Sequence, residues 1–416
     1  MLDMLDIIMR MQDILLSPCT LEEAKLEARF FTRNRKMSFS EILMFILDGI
    51  HSSTQSALNR FFGKYLEARN TPSQQALSKA RSHFNHSPFE KMFRACVEMR
   101  YYGEHEITKL YDYQLLAVDG SDIALPDLPT LLEEFGGTGR NADAPTAKIS
   151  ILYDVLNDFI LDAAMDKASA SERILAVGHM EKLKSIAPEV DKLLIFDRGY
   201  PSEQLIEELS GCKFHFLMRV RSKWNLDVDA VRKDGEVELK SGRRIRVVKF
   251  NLPSGEEETL LTDLFELPED VFRELYFKRW PIETKYDIVK NKLALENFSG
   301  YSKNVILQDF WACMQVTNMA SVAKDEADAS ISEKRRGKEN KYVYVSNLNQ
   351  VIASLKDHVL GLFFATTNEE RERILSILKN EIQRTVVPVR PYRTVKRPLN
   401  PRKAKFHHNR KFSAGS

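Results

Sequence analysis

The sequence predicts an α/β protein, with a mixed sheet in the middle of the chain and helical regions on both sides of it. Three observations carry that prediction. Residues 1–108 place apolar side chains at three- and four-residue spacing, residues 111–264 break into short apolar runs ended by turns, and helical spacing returns from Pro268.

In the first region, Thr20-Leu-Glu-Glu23 and Ser38-Phe-Ser-Glu41 have the Ser/Thr-x-x-Glu form of a capping box. Ser53 to Tyr65 reads as a helix, and Thr71 caps a second one that starts at Pro72 and reaches Arg81. The pair suits a helix-turn-helix in which Gln74, Gln75, Ser78 and Arg81 face a groove of DNA. Glutamine matches adenine edges, and arginine matches guanine or phosphate. A plain helical bundle with solvated polar faces accounts for the same spacing.

In the middle region, Gln114 to Val118 reads as a strand, Lys148 to Val155 and Phe159 to Met165 as a hairpin, Ser171 to Ile186 as a helix and Lys192 to Phe196 as a strand. Phe135-Gly-Gly-Thr-Gly-Arg140 lacks both the Lys-Ser/Thr of a P-loop and the third glycine of a dinucleotide fingerprint, so it is read as a loop beside the substrate. Strand signals become dense at Phe214 to Val220, Val237 to Leu239, Ile245 to Phe250 and Thr259 to Leu264. They are separated by Asp234-Gly235, Ser241-Gly242 and Ser254-Gly255, which makes a β-rich insertion. Beyond Pro268 the helices are Val305 to Ala323, Leu348 to Phe364 and Glu369 to Arg384, with an exposed loop from Glu333 to Lys341.

Composition narrows the functional classes. At 416 residues and 43% hydrophobic content the chain can bury a sizeable core, and it contains no apolar run long enough to span a bilayer. The start, Met1-Leu-Asp-Met-Leu-Asp, lacks the basic flank of a signal peptide, so the expectation is a cytoplasmic protein without a membrane partner. Cys19, Cys96, Cys212 and Cys313 are far apart, without the paired spacing of a zinc site. The net charge of +2 conceals an asymmetry: Ile382 to Ser416 holds ten Lys/Arg and no acid, which leaves 51 basic against 59 acidic residues elsewhere. A basic arm on a mildly acidic body suits a phosphate backbone.

The most informative stretch is Tyr276-Phe-Lys-Arg-Trp-Pro-Ile-Glu-Thr-Lys-Tyr-Asp-Ile-Val-Lys290. On one ideal helix Tyr276, Arg279, Glu283 and Lys290 would fall within an arc of roughly 60°. That stripe is a poor core face and a good neighbour for a metal ion beside a phosphodiester. Pro281 lies inside it, so the helix either kinks there or starts afresh.

Two more acids each end an apolar run: Leu115-Leu-Ala-Val-Asp119 and Leu193-Leu-Ile-Phe-Asp197. Strands that apolar belong at the centre of a sheet, and an ionised carboxylate there needs a cation or hydrogen bonds. Asp119, Asp197 and Glu283 are hard oxygen donors, suited to two ions of Mg²⁺ or Mn²⁺ that assist an in-line displacement at phosphorus.

The blocks Val118-Asp-Gly-Ser121, Phe196-Asp-Arg-Gly-Tyr200 and Tyr276-x2-Arg279-x3-Glu283-x6-Lys290 resemble, in order and spacing, the catalytic motifs of bacterial insertion-sequence transposases of the DDE type. The resemblance implies an RNase H-like catalytic core with a β-rich insertion, plus helical N-terminal and C-terminal regions. It divides the chain into a helical DNA-binding domain (1–108), a first part of the core (109–212), the insertion (213–265), a second part (266–330) and a helical C-terminal region with the basic tail (331–416). It further implies catalysis by Asp119, Asp197 and Glu283 as metal ligands, and phosphate contacts by Tyr276, Arg279 and Lys290. The implied partners are double-stranded DNA, as transposon ends and target, and a second copy of the chain in a homodimer; the implied location is the bacterial nucleoid. Trp224 is a candidate for stacking on a displaced base, against packing within the insertion. Lys148, Arg140 and Arg198 are further candidate DNA contacts.

Three rival functions share parts of this pattern: a nuclease that cuts without strand transfer, a DNA-binding relative without catalysis, and a small-molecule phosphohydrolase. The presence of all three acids opposes the second. The capped helical region, the basic tail and the cations flanking Glu283 oppose the third.

Overall fold

A computed structural model describes residues 2–33, 35–49, 53–66, 70–102, 106–139, 142–252, 255–339 and 341–390. Arg140 and the tail from Pro391 onward lie outside the described residues. The chain forms two compact units, residues 94–303 and residues 1–93 with 304–416. These limits lie elsewhere than the expected cuts after 108 and 330.

The first unit begins with α1 (Met4–Leu16), α2 (Pro18–Ala24), α3 (Phe39–Asp48), α4 (Thr54–Tyr65), α5 (Gln74–Arg81) and the start of α6 (Ser87–Tyr102). Ser38 and Glu41 form the expected capping box at α3. Thr20 does not cap a helix; it is buried within α2, whose first turn is set by Ser17 and Pro18. The cap of α5 is Ser73, whose side chain accepts the Ala76 N–H, so the helix starts after Thr71 and Pro72.

Gln74, Gln75 and Ser78 are exposed on α5. Arg81 is not. It falls one helical turn after buried Leu77, is 2% exposed, and donates through Nε to Gln308 Oε1 at 2.9 Å and through Nη2 to Asp309 Oδ1 at 2.7 Å. The expectation that Arg81 faces a DNA groove is therefore corrected: it is a core cation, paired and hydrogen-bonded as burial demands.

The second unit is built on β1 (Gln114–Ala124), α7 (Pro129–Phe135), β2 (Thr146–Asp154), β3 (Phe159–Lys167), α8 (Glu172–Leu183), β4 (Lys192–Phe196), α9 (Glu203–Gly211), β5 (His215–Val220), α10 (Leu226–Ala230), β6 (Asp234–Glu238), β7 (Arg244–Asn251) and β8 (Glu257–Thr262). Among the described residues these strands make one eight-stranded sheet in the order β3-β2-β1-β4-β5-β8-β7-β6. Strands β1, β4 and β5 run parallel, with the β2–β3 hairpin antiparallel on one side, which is the RNase H-like arrangement. On the other side β8 pairs with β5, so the β-rich stretch continues this sheet edge to edge. Asp234-Gly235 lies within β6 and not in a turn.

The core of the sheet is β1 and β4, where Leu115 to Val118 and Leu193 to Phe196 are wholly buried. Each such side chain contributes about 1.5–3 kcal/mol, Ala117 less.

The chain then forms α11 (Glu269–Phe277), α12 (Pro281–Asp287) and a π-helical turn at Ile288–Lys292. Pro281 starts a new helix, the second of the two outcomes expected of it, and sits at its first position. The first unit resumes through α13 (Lys303–Arg335), β9 (Val343–Ser346), α14 (Leu348–Phe364), α15 (Asn368–Arg384) and β10 (Val386–Val389), which pairs with β9. No described helix is long and apolar enough to cross a membrane. None of the four cysteines is joined in a disulfide.

Candidate active site

Asp119 and Asp197 meet because two apolar runs of equal length pair in register. On the parallel strands β1 and β4, Leu115 opposes Leu193, Leu116 opposes Leu194 and Ala117 opposes Ile195. Two residues further on, each chain reaches its acid. Asp119 does not end its strand, since β1 continues to Ala124 with a half-buried pattern, whereas β4 stops at Phe196 and Asp197 follows it.

The two carboxyls are pushed in opposite directions. Burial raises Asp119 to about 6, against the lowering effects of Arg279 and the Gly120 N–H; Asp197 and Glu172 add to the rise. Burial also acts on Asp197, but there the Arg198 N–H, Arg279, the Tyr276 hydroxyl and Arg219 outweigh it and hold the group below the usual carboxylate range. Tyr276 Oη donates to Asp197 Oδ1 at 3.1 Å, and Arg219 on β5, itself paired with Glu258, lies 3.9 Å from the same oxygen.

The signature residues reach this pair without a continuous helix. Between α11 and α12 the backbone bonds are Arg279 N–H to Tyr276 O and Glu283 N–H to Trp280 O, a tighter three-residue spacing. Arg279 is 4% exposed; its Nη2 is 3.3 Å from Glu283 Oε1 and its Nη1 is 3.7 Å from Asp119 Oδ2. Tyr286, one turn after Ile282, donates to the Asp119 carbonyl at 2.6 Å and docks α12 on β1. The π turn then carries Lys290 over β1, where Nζ donates to Ser121 Oγ at 2.7 Å and to the Asp122 carbonyl. The expected stripe thus converges on the acids, although its ideal-helix geometry is corrected by Pro281 and the π turn.

Below β1, Ser150 Oγ donates to the Asp119 carbonyl at 3.3 Å and lies 3.0 Å from His179 Nε2, while His179 Nδ1 is 2.6 Å from Asp162. All three side chains are buried, so this Ser–His–Asp chain braces the strand and is closed to substrate.

Other expected contacts are placed elsewhere. Trp224 is half-buried and donates to the Pro201 carbonyl at 3.3 Å, as packing within its own unit requires. Lys148 bonds Asp122 at 2.6 Å and Glu172 at 3.3 Å, and Arg198 is exposed. Sequence reasoning missed Arg219, Tyr286 and Tyr200 as site residues, although Tyr286 and Tyr200 both stood within quoted blocks.

Comparison with known proteins bears on family and fold. Residues 110–319 match the transposase DDE domain. InsZ of Escherichia coli (strain K12), a protein assigned as a transposase, is 26% identical over 155 residues, which is 36% of this chain and 50% of that protein. The chain thus spans about half the length of that curated relative. Among solved structures, the cryo-EM structure of the piggyBac transposase synaptic complex with hairpin DNA is similar in fold, with a TM-score of 0.52 at 11% identity over 89% of this chain and 85% of that one.

Proposed function

This chain belongs to the transposase DDE domain family, and from that premise we propose that it binds the terminal inverted repeats of its own element, cuts the DNA at their ends and joins them to a target. The observation that supports the reading most is the in-register meeting of Asp119 and Asp197, with Glu283 linked to Asp119 through Arg279.

The residues fit Mg²⁺ or Mn²⁺. Among the described residues no three acids are gathered tightly enough to cage an ion as they stand. The donors are nevertheless hard oxygens, and a guanidinium already spans Asp119 and Glu283 as a stand-in cation. Asp119, raised to about 6, is a buried charge short of compensation. Two such ions, held by Asp119, Asp197 and Glu283, would activate an attacking oxygen and stabilise a leaving one.

The protein's own side chains would do the rest. Arg279 can exchange its carboxylates for a phosphate, which it can grip with two donors, and Lys290 can add a point charge where it now bonds uncharged Ser121 and a carbonyl. Tyr276 keeps Asp197 oriented and ionised. Exposed Gln74 and Gln75 on α5 are proposed to read base edges, and Trp224 would have to leave the Pro201 carbonyl to stack on a base. A homodimer pairing two DNA ends is the proposed assembly.

The test is a labelled duplex carrying the inverted repeats that flank this reading frame, incubated with Mg²⁺ and target DNA. Wild type should give joined product, and Glu283→Gln should bind the duplex but cut it at least about 10³-fold more slowly. Nicked product without joining would favour a nuclease, and absence of salt-dependent duplex binding would remove the DNA reading altogether.

A further inference from the structure

Resting on the reading of this site as a metal centre, we propose that Glu172 is a fourth carboxylate ligand, completing the oxygen set begun by Asp119 and Asp197. Glu172 opens α8, outside the signature blocks in sequence, yet its side chain reaches Gly120 within β1 and approaches Gly199 after β4. A Cβ at Gly120 would stand 2.7 Å from Glu172 Cδ and 2.9 Å from its Oε1, and a Cβ at Gly199 would stand 3.9 Å from Oε2. Gly120 directly follows Asp119, and Gly199 is two residues after Asp197. Gly120, next to Asp119, therefore leaves the space that the Glu172 carboxylate occupies, and near Gly199 the other carboxylate oxygen comes within van der Waals range.

A gathering of acids alone would mean little, but two buried donors beside it lack acceptors. Tyr200 Oη is in a side chain 1% exposed and has no hydrogen-bond partner, and the charges that bear on it most are Glu172 and then Asp119. Arg279 Nε, also buried, is likewise unpartnered. Orphaned polar atoms around a set of hard oxygens mark the place of a missing hydrated group. A divalent cation with its waters supplies positive charge to the acids and oxygen acceptors to both donors.

The competing account makes Glu172 an anchor for Lys148. That pair is 3.3 Å apart, whereas Lys148 is held at 2.6 Å by Asp122, and Glu172 keeps 35% of its side chain exposed. The lysine already has a closer partner, so anchoring it does not account for where the Glu172 carboxylate lies.

The experiment titrates Mn²⁺ into the full chain, without DNA, and reads free Mn²⁺ by electron paramagnetic resonance. Glu172→Gln should weaken binding about 10- to 100-fold. Gly120→Ala, which pushes the carboxylate aside, should do the same, and the double variant should lose no more than either alone. Lys148→Met should bind at least as tightly as wild type. Wild-type affinity in Glu172→Gln, with binding lost in Asp119→Asn, would overturn the proposal and leave the metal centre standing. Equal loss in Lys148→Met would also overturn it, in favour of the anchor. If wild type bound no Mn²⁺, or Asp119→Asn bound it unchanged, the metal reading itself would fall and Glu172 with it. Should Glu172→Gln not fold by circular dichroism, Gly120→Ala carries the test.

Discussion

Arg81 and Arg279 are both buried arginines that the sequence offers as DNA contacts, and their surroundings differ in kind. Arg81 is held at 2.7 Å by Asp309, at 2.9 Å by Gln308 and at 3.3 Å by the Val305 carbonyl, within one helical unit. Arg279 touches Glu283 and Asp119 at 3.3 and 3.7 Å, leaves Nε unpaired, and lies beside Asp197 and Tyr276, which bond each other. A structural cation is saturated by short bonds; a cation meant to change partners is loosely held by groups that have a second use. Burial by itself does not separate the two, and hydrogen-bond saturation does.

The largest expected effect tests that distinction directly. Arg81→Met should destabilise the protein by about 3–5 kcal/mol, because it removes a buried guanidinium bonded to Asp309, Gln308 and the Val305 carbonyl and leaves Gln308 short of a donor. Arg279→Met should cost less in a chemical melt and should instead slow DNA cleavage by about 10²-fold or more. Equal losses of stability would erase the contrast.

A smaller effect comes from the acids that Arg279 faces. Asp119 is raised in the folded protein from 3.8 to about 6, so its ionisation opposes folding fully above the folded value and not at all below the unfolded one. In metal-free protein Asp119→Asn should therefore raise stability by up to about 3 kcal/mol at pH 8, and the gain should fade as pH falls to 4. Asp197 is lowered, so its contribution has the opposite sign: it is present above the unfolded carboxylate range and is lost as pH falls through the folded value. Asp197→Asn should destabilise at neutral pH and match wild type in acid. Melts that moved the same way for both would contradict the opposed environments.

The smallest effect concerns Lys290, whose partners are a hydroxyl and a carbonyl. Lys290→Ala should leave stability nearly unchanged and reduce the slope of log affinity for duplex DNA against log salt by about one. An unchanged slope would move Lys290 from the phosphate contacts to the scaffold.

Much of the site was legible in the order of residues. Two apolar runs of equal length, each ending in aspartate, predict central strands, and the fold pairs those strands in parallel so that the equal runs align and bring the acids together. The β2–β3 hairpin, β4 and α14 lie where their periodicity puts them. Capping was read unevenly: Ser38-x-x-Glu41 closes a box, whereas Thr20-x-x-Glu23 has the same form inside a helix already started by Pro18. Local chemistry offers several caps, and the one used depends on which helix face is buried.

Short-range spacing was enough for the α/β class and for the two apolar runs that end in Asp119 and Asp197, because those depend on period-two and period-three-to-four patterns along the chain, while the family came from the resemblance of the motif blocks. The joining of β8 to β5, the burial of Arg81 against α13, the π turn that swings Lys290 over Ser121 and the reach of Glu172 to Gly120 came from packing between segments about 40 to more than 200 residues apart. Contacts of that separation are selected by which surfaces fit and which buried donors find acceptors, a condition on the whole fold that no local window of sequence expresses.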